Sequence, residues 1–266
     1  MKRKLSVVFF RFFLLILFVP VSIYSFARKA PSREFYQLTV YHFKTAAHEQ
    51  VIDGYLQNAL LPALHKLNFS NVGVFKAWAN DTVADKMFYV FLTIKSLDQI
   101  AALPAKLNAD AAYQTAGAAY INAVYKDPAY VRMENILLHA FPLAPKMQLP
   151  QLQAANKDRV YELRSYESAS EKIFANKVQM FNQGGEIDFF KRLNFNAVFY
   201  SEVIAGSKMP NLMYMTTFNS MADRDAHWKL FVDDPFWKTL SAKPEYQNNV
   251  SRNDITFLQP TSYSDF

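Results

Sequence analysis

The chain has 266 residues, of which 51% are hydrophobic and 16% aromatic, and it contains no cysteine. This composition excludes disulfides, thiolate catalysis and thiolate metal sites, so burial of apolar surface must stabilise the fold. The formal charge of +6 gives no basic footprint for nucleic acid, because four of the 29 basic residues lie in the first 27 positions and the remaining 25 face 23 acidic ones.

The first 27 residues have the layout of a secretory signal peptide. Lys2, Arg3 and Lys4 precede an apolar stretch over residues 12–24, and Ser25-Phe26-Ala27 places small residues where a signal peptidase cleaves. The alternative is an uncleaved membrane anchor, but the apolar stretch is shorter than the roughly 20 residues that a bilayer requires. The sequence therefore predicts a periplasmic or secreted protein with no stable membrane anchor after cleavage.

N-terminal sequencing of the exported protein should start at about Arg28, because Ala27 and Ser25 meet the small-residue requirement of the cleavage site. Mass spectrometry of the N-terminal peptide from the periplasmic or secreted fraction measures this. An intact chain that begins at Met1 and stays in the membrane fraction would contradict the prediction.

The rest of the chain contains two similar copies about 125 positions apart. Tyr36-Gln-Leu-Thr-Val-Tyr41 corresponds to Tyr161-Glu-Leu-Arg-Ser-Tyr166, and His65-Lys-Leu-Asn-Phe69 corresponds to Lys191-Arg-Leu-Asn-Phe195. Each copy has the length of a small domain, so the period indicates tandem domains rather than a solenoid. We predict a first domain over 28–145, a linker over 146–156 and a second domain over 157–266.

The first copy reads as a strand, a helix, two strands, a helical region and a last strand. Aromatic and β-branched runs indicate the strands, and apolar residues at helical spacing indicate the helices. Pro62 and Pro104 are expected to interrupt the two helical regions. In order, the elements are a strand over 35–43, a helix over 46–67, strands over 72–78 and 87–94, a helical region from Ser96 or Asp98 to about 124, and a strand over 132–141.

The second copy repeats this order. Ser170 and Ser220 are predicted helix caps, Gly184-Gly185 is predicted to be a kink or a helix end, and a helix is expected to break near Asp234-Pro235. The predicted strands span 160–167, 197–204, 211–218 and 250–258.

This element order is the split βαβ arrangement, in which helices cover one face of each sheet. The strands are apolar or aromatic on both faces, so the bare face of each sheet needs a cover, and the other copy is tethered beside it. We therefore predict an α+β protein with two tandem ferredoxin-like (βαββαβ) domains that pack sheet to sheet as an intramolecular dimeric α/β barrel.

Several segments resemble the NIPSNAP family. They are Tyr161-Glu-Leu-Arg-Ser-Tyr166, Asp223-Arg-Asp-Ala-His-Trp228 and Asp234-Pro-Phe-Trp237 in the second copy and, more loosely, Leu61-Pro-Ala-Leu-His65 and Val72-Gly-Val-Phe75 in the first. The resemblance implies the dimeric α/β-barrel fold, whose wider group includes cofactor-independent monooxygenases, haem-degrading enzymes and proteins of no known activity. It implies no particular reaction, because the NIPSNAP family has no settled one.

The strand over 160–167 carries the best candidates for ligand binding. Alternation places Glu162, Arg164 and Tyr166 on one face and Tyr161 and Leu163 on the other. We expect the apolar set to face the helices, which sends the polar set into the barrel interior. There Arg164 would hold an anionic or carbonyl group and Tyr166 would donate a hydrogen bond. The full predicted ligand-binding set is Glu162, Arg164, Tyr166, Tyr200, Glu202 and Tyr214.

A purely structural role for these residues remains open. A buried Glu162–Arg164 pair, or a pair between Arg164 and Glu202, would serve only the interface between sheets. The first copy has Gln37 and Thr39 at the positions of Glu162 and Arg164, which argues against a mechanism with two equal sites.

No metal or cofactor is predicted. The five histidines do not form a pair spaced for metal binding on one helix face. A metal held by His42 and His139, or a haem contact at His227 beside Trp228, is a weaker interpretation than ordinary packing. No Gly-x-Ser-x-Gly turn supports a serine nucleophile, so no catalytic residue is assigned.

Three functions stay open. The first is binding of a small hydrophobic or aromatic molecule in the barrel interior without chemistry. The second is a cofactor-independent oxygenase or isomerase, and the third is a structural or partner-binding protein with a side-chain-filled barrel. A void lined by Arg164 and tyrosines would argue against the third, and a strongly perturbed pKa in that void would favour the second. The sequence leaves open whether the protein is an enzyme and whether it forms homo-oligomers.

Overall fold

The computed structural model describes residues 32–266, so the predicted signal peptide lies outside the described residues. The first copy begins with β1, an aromatic and β-branched run that is buried without a break from Leu38 to Phe43. Its elements are β1 (Phe35–Phe43), α1 (Ala46–Tyr55), α2 (Leu61–Lys66), β2 (Gly73–Ala77), β3 (Lys86–Ile94), α3 (Leu97–Asn108), α4 (Ala111–Ala116), α5 (Ala118–Ile121) and β4 (Arg132–Ala140).

Pro62 and Pro104 do not interrupt their helices as predicted. Pro62 lies in the first turn of α2, directly after a π-helical turn over Leu56–Leu60, and the wider turn leaves room for the ring. Pro104 lies inside α3, which continues to Asn108. The break comes at Asp110, because its side chain caps α4 by accepting from the amides of Ala112 and Tyr113.

The second copy repeats these elements with stronger caps. Ser170, Ser220 and Asp234 each accept a backbone N–H at a helix start, as the sequence predicts for the first two. The predicted break at Gly184-Gly185 is confirmed, with Gly185 in the left-handed region at φ 85°. The elements are β5 (Val160–Glu167), α6 (Glu171–Asn182), α7 (Glu186–Arg192), β6 (Phe199–Ala205), β7 (Asn211–Phe218), α8 (Met221–Asp233), α9 (Pro235–Ser241) and β8 (Arg252–Pro260).

The eight strands close into one barrel in the order β1-β3-β2-β8-β5-β7-β6-β4. Each copy supplies four adjacent strands, and every pairing is antiparallel. The copies join where Phe75 and Ala77 of β2 face Pro260 and Leu258 of β8, and where β4 pairs with β6. This topology confirms the predicted intramolecular α/β barrel.

Aromatic side chains from both copies fill most of the barrel interior. Phe91 of the first copy stacks on Phe199 of the second with 4.9 Å between ring centroids, and Phe75 meets Tyr161 at 5.0 Å. The C-terminal Phe266 packs against Phe75 at 5.5 Å. Two further apolar clusters lie outside the barrel, one under the helices of each copy. Between residues 32 and 266, no helix combines the length and apolar character needed to cross a bilayer.

The predicted orientation of β5 is wrong. Tyr161 and Leu163 lie in the barrel interior, whereas Glu162 and Arg164 face the helices of the second copy. The reason is that α8 is not purely apolar on its inner side. It supplies Arg224 and other polar partners to β5, while the interior needs large apolar side chains to fill it.

Candidate functional site

A pocket of about 520 Å³ lies between the outer face of the second-copy sheet and its helices. We call it the helix–sheet pocket. Strands β5, β7 and β8 form one wall, and residues of α6, α7, α8 and α9 form the other. Its lining includes Arg164, Tyr166, Lys177, Met180, Glu186, Phe190, Tyr214, Arg224, Trp228, Phe231, Trp237 and Asn249.

Glu162 anchors the floor of this site. Its carboxylate is fully buried and accepts hydrogen bonds from Arg164 Nε at 2.6 Å, from Arg224 Nε at 2.8 Å and from Trp228 Nε1 at 2.8 Å. Burial alone would raise the pKa of Glu162, but the bonds from Arg224 and Trp228 and the charge of Arg164 hold that pKa below its usual range. Glu162 is therefore an ionised positioning residue whose acceptor capacity is already used.

Arg164 is the cation that this network presents to the pocket. Its guanidinium lies 3.8 Å from the ring centroid of Trp228, and its Nη1 donates to Tyr166 Oη at 2.9 Å. Burial works against its charge, but the neighbouring tyrosines and Glu162 raise the pKa of Arg164 above its usual range. A guanidinium carries five N–H donors, so Arg164 retains donors beyond those that bind Glu162 and Tyr166.

Two tyrosines continue the network along the sheet. Tyr166 Oη lies 2.8 Å from Tyr214 Oη. Burial, with a smaller contribution from Tyr166, raises the pKa of Tyr214 well above its usual range. The Tyr214 hydroxyl therefore acts through hydrogen bonds. The ring of Tyr214 also stacks on Tyr200 at 5.7 Å, so Tyr200 supports this wall from behind.

A second buried ion pair closes the inner end of the pocket. Lys177 Nζ on α6 lies 3.0 Å from Glu186 Oε2 on α7, and the two residues are 4% and 3% exposed. Burial raises the pKa of Glu186 and the charge of Lys177 only partly offsets this. Glu186 is therefore the acidic group of the pocket that is easiest to protonate.

The predicted residues do not all meet in one place. Glu162, Arg164, Tyr166 and Tyr214 are brought together, whereas Glu202 pairs with Arg33 at 2.5 Å on the β4–β6 seam. The predicted alternative pair of Arg164 with Glu202 is therefore wrong, and the pair of Arg164 with Glu162 is confirmed. The void lined by Arg164 and tyrosines exists, but it lies outside the barrel and not in its interior.

Sequence reasoning missed three of the five charged groups at this site, Lys177, Glu186 and Arg224. Lys177 and Glu186 sit on either side of the Gly184-Gly185 break, which brings their side chains together. Arg224 and Trp228 are one helical turn apart on α8, and that spacing was the available signal for a shared inward face.

Among the described residues, no group of three or more histidine, aspartate and glutamate side chains is arranged to hold a metal ion. His42 pairs with Asp85 at 3.0 Å, and His139 stacks on Phe35 with 4.5 Å between centroids. His227 bonds through Nδ1 to the carbonyl of Asp223 at 2.8 Å.

The family model named NIPSNAP matches residues 161–265. This range runs from the start of β5 to the end of the chain and includes the whole helix–sheet pocket. The second copy is therefore a NIPSNAP domain. The match confirms the resemblance seen in the sequence, and it lies on the copy that carries the charged network. No curated protein matches the chain.

Solved structures share the complete barrel with this chain. A proposed monooxygenase from Lactobacillus acidophilus NCFM has a TM-score of 0.56 at 12% identity, over 86% of this chain and 94% of that chain. A proposed monooxygenase from Fusobacterium nucleatum has a TM-score of 0.51 at 7% identity, over 86% and 93%. An anthrone oxidase-like protein has a TM-score of 0.51 at 8% identity, over 87% and 93%. At these identities the similarity shows the fold alone.

In the described part of the first copy, residues 32–145, no comparable network of buried charges is present. Gln37 and Thr39, which correspond to Glu162 and Arg164, bind Asn135 at 2.9 and 2.6 Å. Tyrosines pack against one another beneath the first-copy helices; Tyr55 stacks on Tyr120 at 3.8 Å and Tyr41 meets Tyr120 at 6.1 Å. The duplicated fold therefore carries its buried ion pairs in the second copy.

Proposed function

We propose that the helix–sheet pocket binds a small, flat, hydrophobic molecule that carries an anionic or carbonyl group, with Arg164 as its anchor. The observation that carries this proposal is a buried guanidinium with unused N–H donors on the wall of a 520 Å³ pocket. Pockets of roughly 300–1,000 Å³ hold drug-sized ligands.

The donors that face the pocket favour an anion. Arg164 pairs with Glu162, Lys177 pairs with Glu186, and Arg224 pairs with both Glu162 and Asp225. The charges balance within these pairs, so the unused N–H donors of Arg164 are what suit a ligand carboxylate, phenolate or enolate.

The remaining walls favour an aromatic body. Trp228 and Trp237 line the helical side of the pocket, and Phe190, Phe231 and Tyr214 complete an aromatic surround. Aromatic rings bind flat ligands through stacked and edge-to-face contacts. The signal-peptide pattern adds the proposal that the protein meets this ligand in the periplasm or outside the cell.

Tryptophan fluorescence tests the proposal, because two of the three tryptophans line the pocket. The Trp78→Phe protein would be titrated with 2-naphthoate and with the neutral isostere 2-naphthamide. We expect 2-naphthoate to quench the fluorescence and to bind about ten-fold more tightly than the amide.

Variants of the Trp78→Phe protein locate the effect. Arg164→Met keeps the stem of the side chain and should reduce the affinity for 2-naphthoate to that for 2-naphthamide. Arg252→Met removes the same charge from an exposed arginine of β8 and should leave both affinities unchanged. Equal binding of the two ligands, or binding that Arg164→Met leaves unaltered in a folded protein, would contradict the proposal.

A second candidate is a cofactor-independent oxygenase or isomerase, and the raised pKa of Glu186 favours it. A carboxyl group in this position could exchange a proton with a ligand whose enolate faces Arg164 and Lys177. The overall oxidation of anthrone by O₂ to anthraquinone and water offers a balanced test reaction.

Oxygen uptake and anthraquinone absorbance distinguish the two candidates. An oxygenase should consume O₂ with anthrone, and Glu186→Gln should slow turnover by about 100-fold while 2-naphthoate binding persists. Binding without O₂ uptake above the uncatalysed rate would leave the protein as a binder and exclude this second candidate for anthrone.

A further inference from the structure

A second cavity, of about 280 Å³, opens at one end of the barrel interior. We call it the barrel-mouth cleft. Its floor is apolar and comes from both copies, with Leu38 and Met87 of the first and Leu163 and Met213 of the second. These side chains face the interior, so the cleft is separated from the helix–sheet pocket by the sheet itself.

Asn211 gives this cleft an unusual polar feature. The side chain is 3% exposed, and its Nδ2 donates to Ser165 Oγ at 2.8 Å. Its Oδ1 is buried and has no hydrogen-bond partner. Buried amide oxygens are nearly always paired, and Asn211 lines the cleft, so a small rotation of its side chain would offer this acceptor to a donor from a bound molecule.

The charged side chains at the rim of the cleft indicate whether that donor is neutral or charged. His42 lies 3.0 Å from Asp85, Arg132 lies 2.6 Å from Glu134, and Lys208 lies 2.5 Å from Asp254. Because each rim carboxylate already has a cationic or imidazole neighbour, none is left to balance a ligand ammonium. A neutral O–H or N–H donor fits Asn211 better.

We propose that the barrel-mouth cleft binds a compact apolar molecule with a neutral hydroxyl or N–H donor, which Asn211 Oδ1 accepts. The apolar body would cover Leu38, Leu163 and the two methionines, and the donor would complete the hydrogen bonding of the Asn211 amide. This site lies at the junction of the two copies and is independent of the helix–sheet pocket.

Methyl NMR of the purified protein, labelled with ¹³C-methyl methionine, reports on both cavities. Met87 and Met213 line the barrel-mouth cleft, whereas Met180 lines the helix–sheet pocket. Titration with 2-phenylethanol should shift Met87 and Met213 and leave Met180 in place. Ethylbenzene, which lacks a donor, should bind at least about five-fold more weakly than 2-phenylethanol. 2-Phenylethylammonium should bind no more tightly than the alcohol.

Two substitutions test the role of Asn211. Asn211→Leu removes the acceptor at similar volume and should abolish the preference for 2-phenylethanol over ethylbenzene, and Asn211→Ala should do the same if leucine disturbs packing. Ser165→Ala removes only the partner of Nδ2 and should keep the preference.

The wild-type ligand series is decisive even without a variant. Shifts of Met180 alone, ethylbenzene binding as tightly as the alcohol, or tighter binding of the ammonium would each overturn the proposal. Loss of the alcohol preference in Ser165→Ala, or its survival in Asn211→Leu, would do the same. If Met87 and Met213 show no shift, the proposed function is unaffected, because binding in the helix–sheet pocket is measured at Met180, Trp228 and Trp237.

Discussion

Replacing Glu162 with leucine should lower the free energy of unfolding by about 3 to 5 kcal/mol. The substitution leaves the buried guanidinium of Arg164, the Nε of Arg224 and the indole N–H of Trp228 without their shared acceptor. Denaturant unfolding followed by circular dichroism measures the change. The matched control is Gln37→Leu at the corresponding position of the first copy, where the hydrogen bonds to Thr39 and Asn135 are neutral.

The control should cost about 1 kcal/mol, the usual contribution of a neutral hydrogen bond. Equal losses in the two variants would contradict the assignment of Glu162 as the anchor of a charged network.

The contribution of Glu162 also has a defined pH dependence. Its pKa is held below the reference value of 4.5, so the stabilisation is complete above that pH and is lost as the pH falls through the lower folded value. The unfolding free energy of Glu162→Gln should therefore decline less steeply in acid than that of the wild type. If the unfolding free energies of both proteins decline in parallel as the pH falls, the pKa of Glu162 is not depressed in the folded state.

Separating the copies should have the second large effect. Residues 32–145 and 157–266, expressed alone, should precipitate or self-associate, because each would expose the apolar interior face of a four-stranded sheet. The first fragment also loses Phe266 from its place against Phe75 and Phe91. Size-exclusion chromatography with light scattering measures the outcome.

Coexpression of the two fragments is the control for this experiment, since it can restore the β2–β8 and β4–β6 pairings. A soluble complex of one copy of each fragment is the expected result. Two fragments that are each stable, soluble monomers would contradict the interlocked barrel.

Local patterns predicted the succession of helices and strands and the caps at Ser170 and Ser220, because these depend on residues that are neighbours in sequence. The closed barrel was predicted from the duplication and from strands that are apolar on both faces. Alternation along β5 also correctly separated Glu162 and Arg164 from Tyr161 and Leu163. It did not determine which set faces inward. That choice depends on Arg224 and Trp228, which lie some sixty residues away on α8, and on the volume that the opposite copy contributes to the interior.

The prolines and the buried ion pair of the second copy also show what could not be predicted from the sequence. A π-helical turn accommodates Pro62, and the break expected at Pro104 moves to Asp110, whose side chain caps the next helix. The pair of Lys177 and Glu186 needed the turn at Gly184-Gly185 to be known in three dimensions. The unpaired oxygen of Asn211 is visible only once the barrel is closed.

A crystal structure of the protein soaked with 2-naphthoate tests the central claim most directly. The account predicts density for the naphthalene ring between Trp228 and Tyr214, with the carboxylate bound to Arg164. Density confined to the barrel-mouth cleft or the surface, with Arg164 contacting only Glu162 and Tyr166 at saturating ligand, would contradict it.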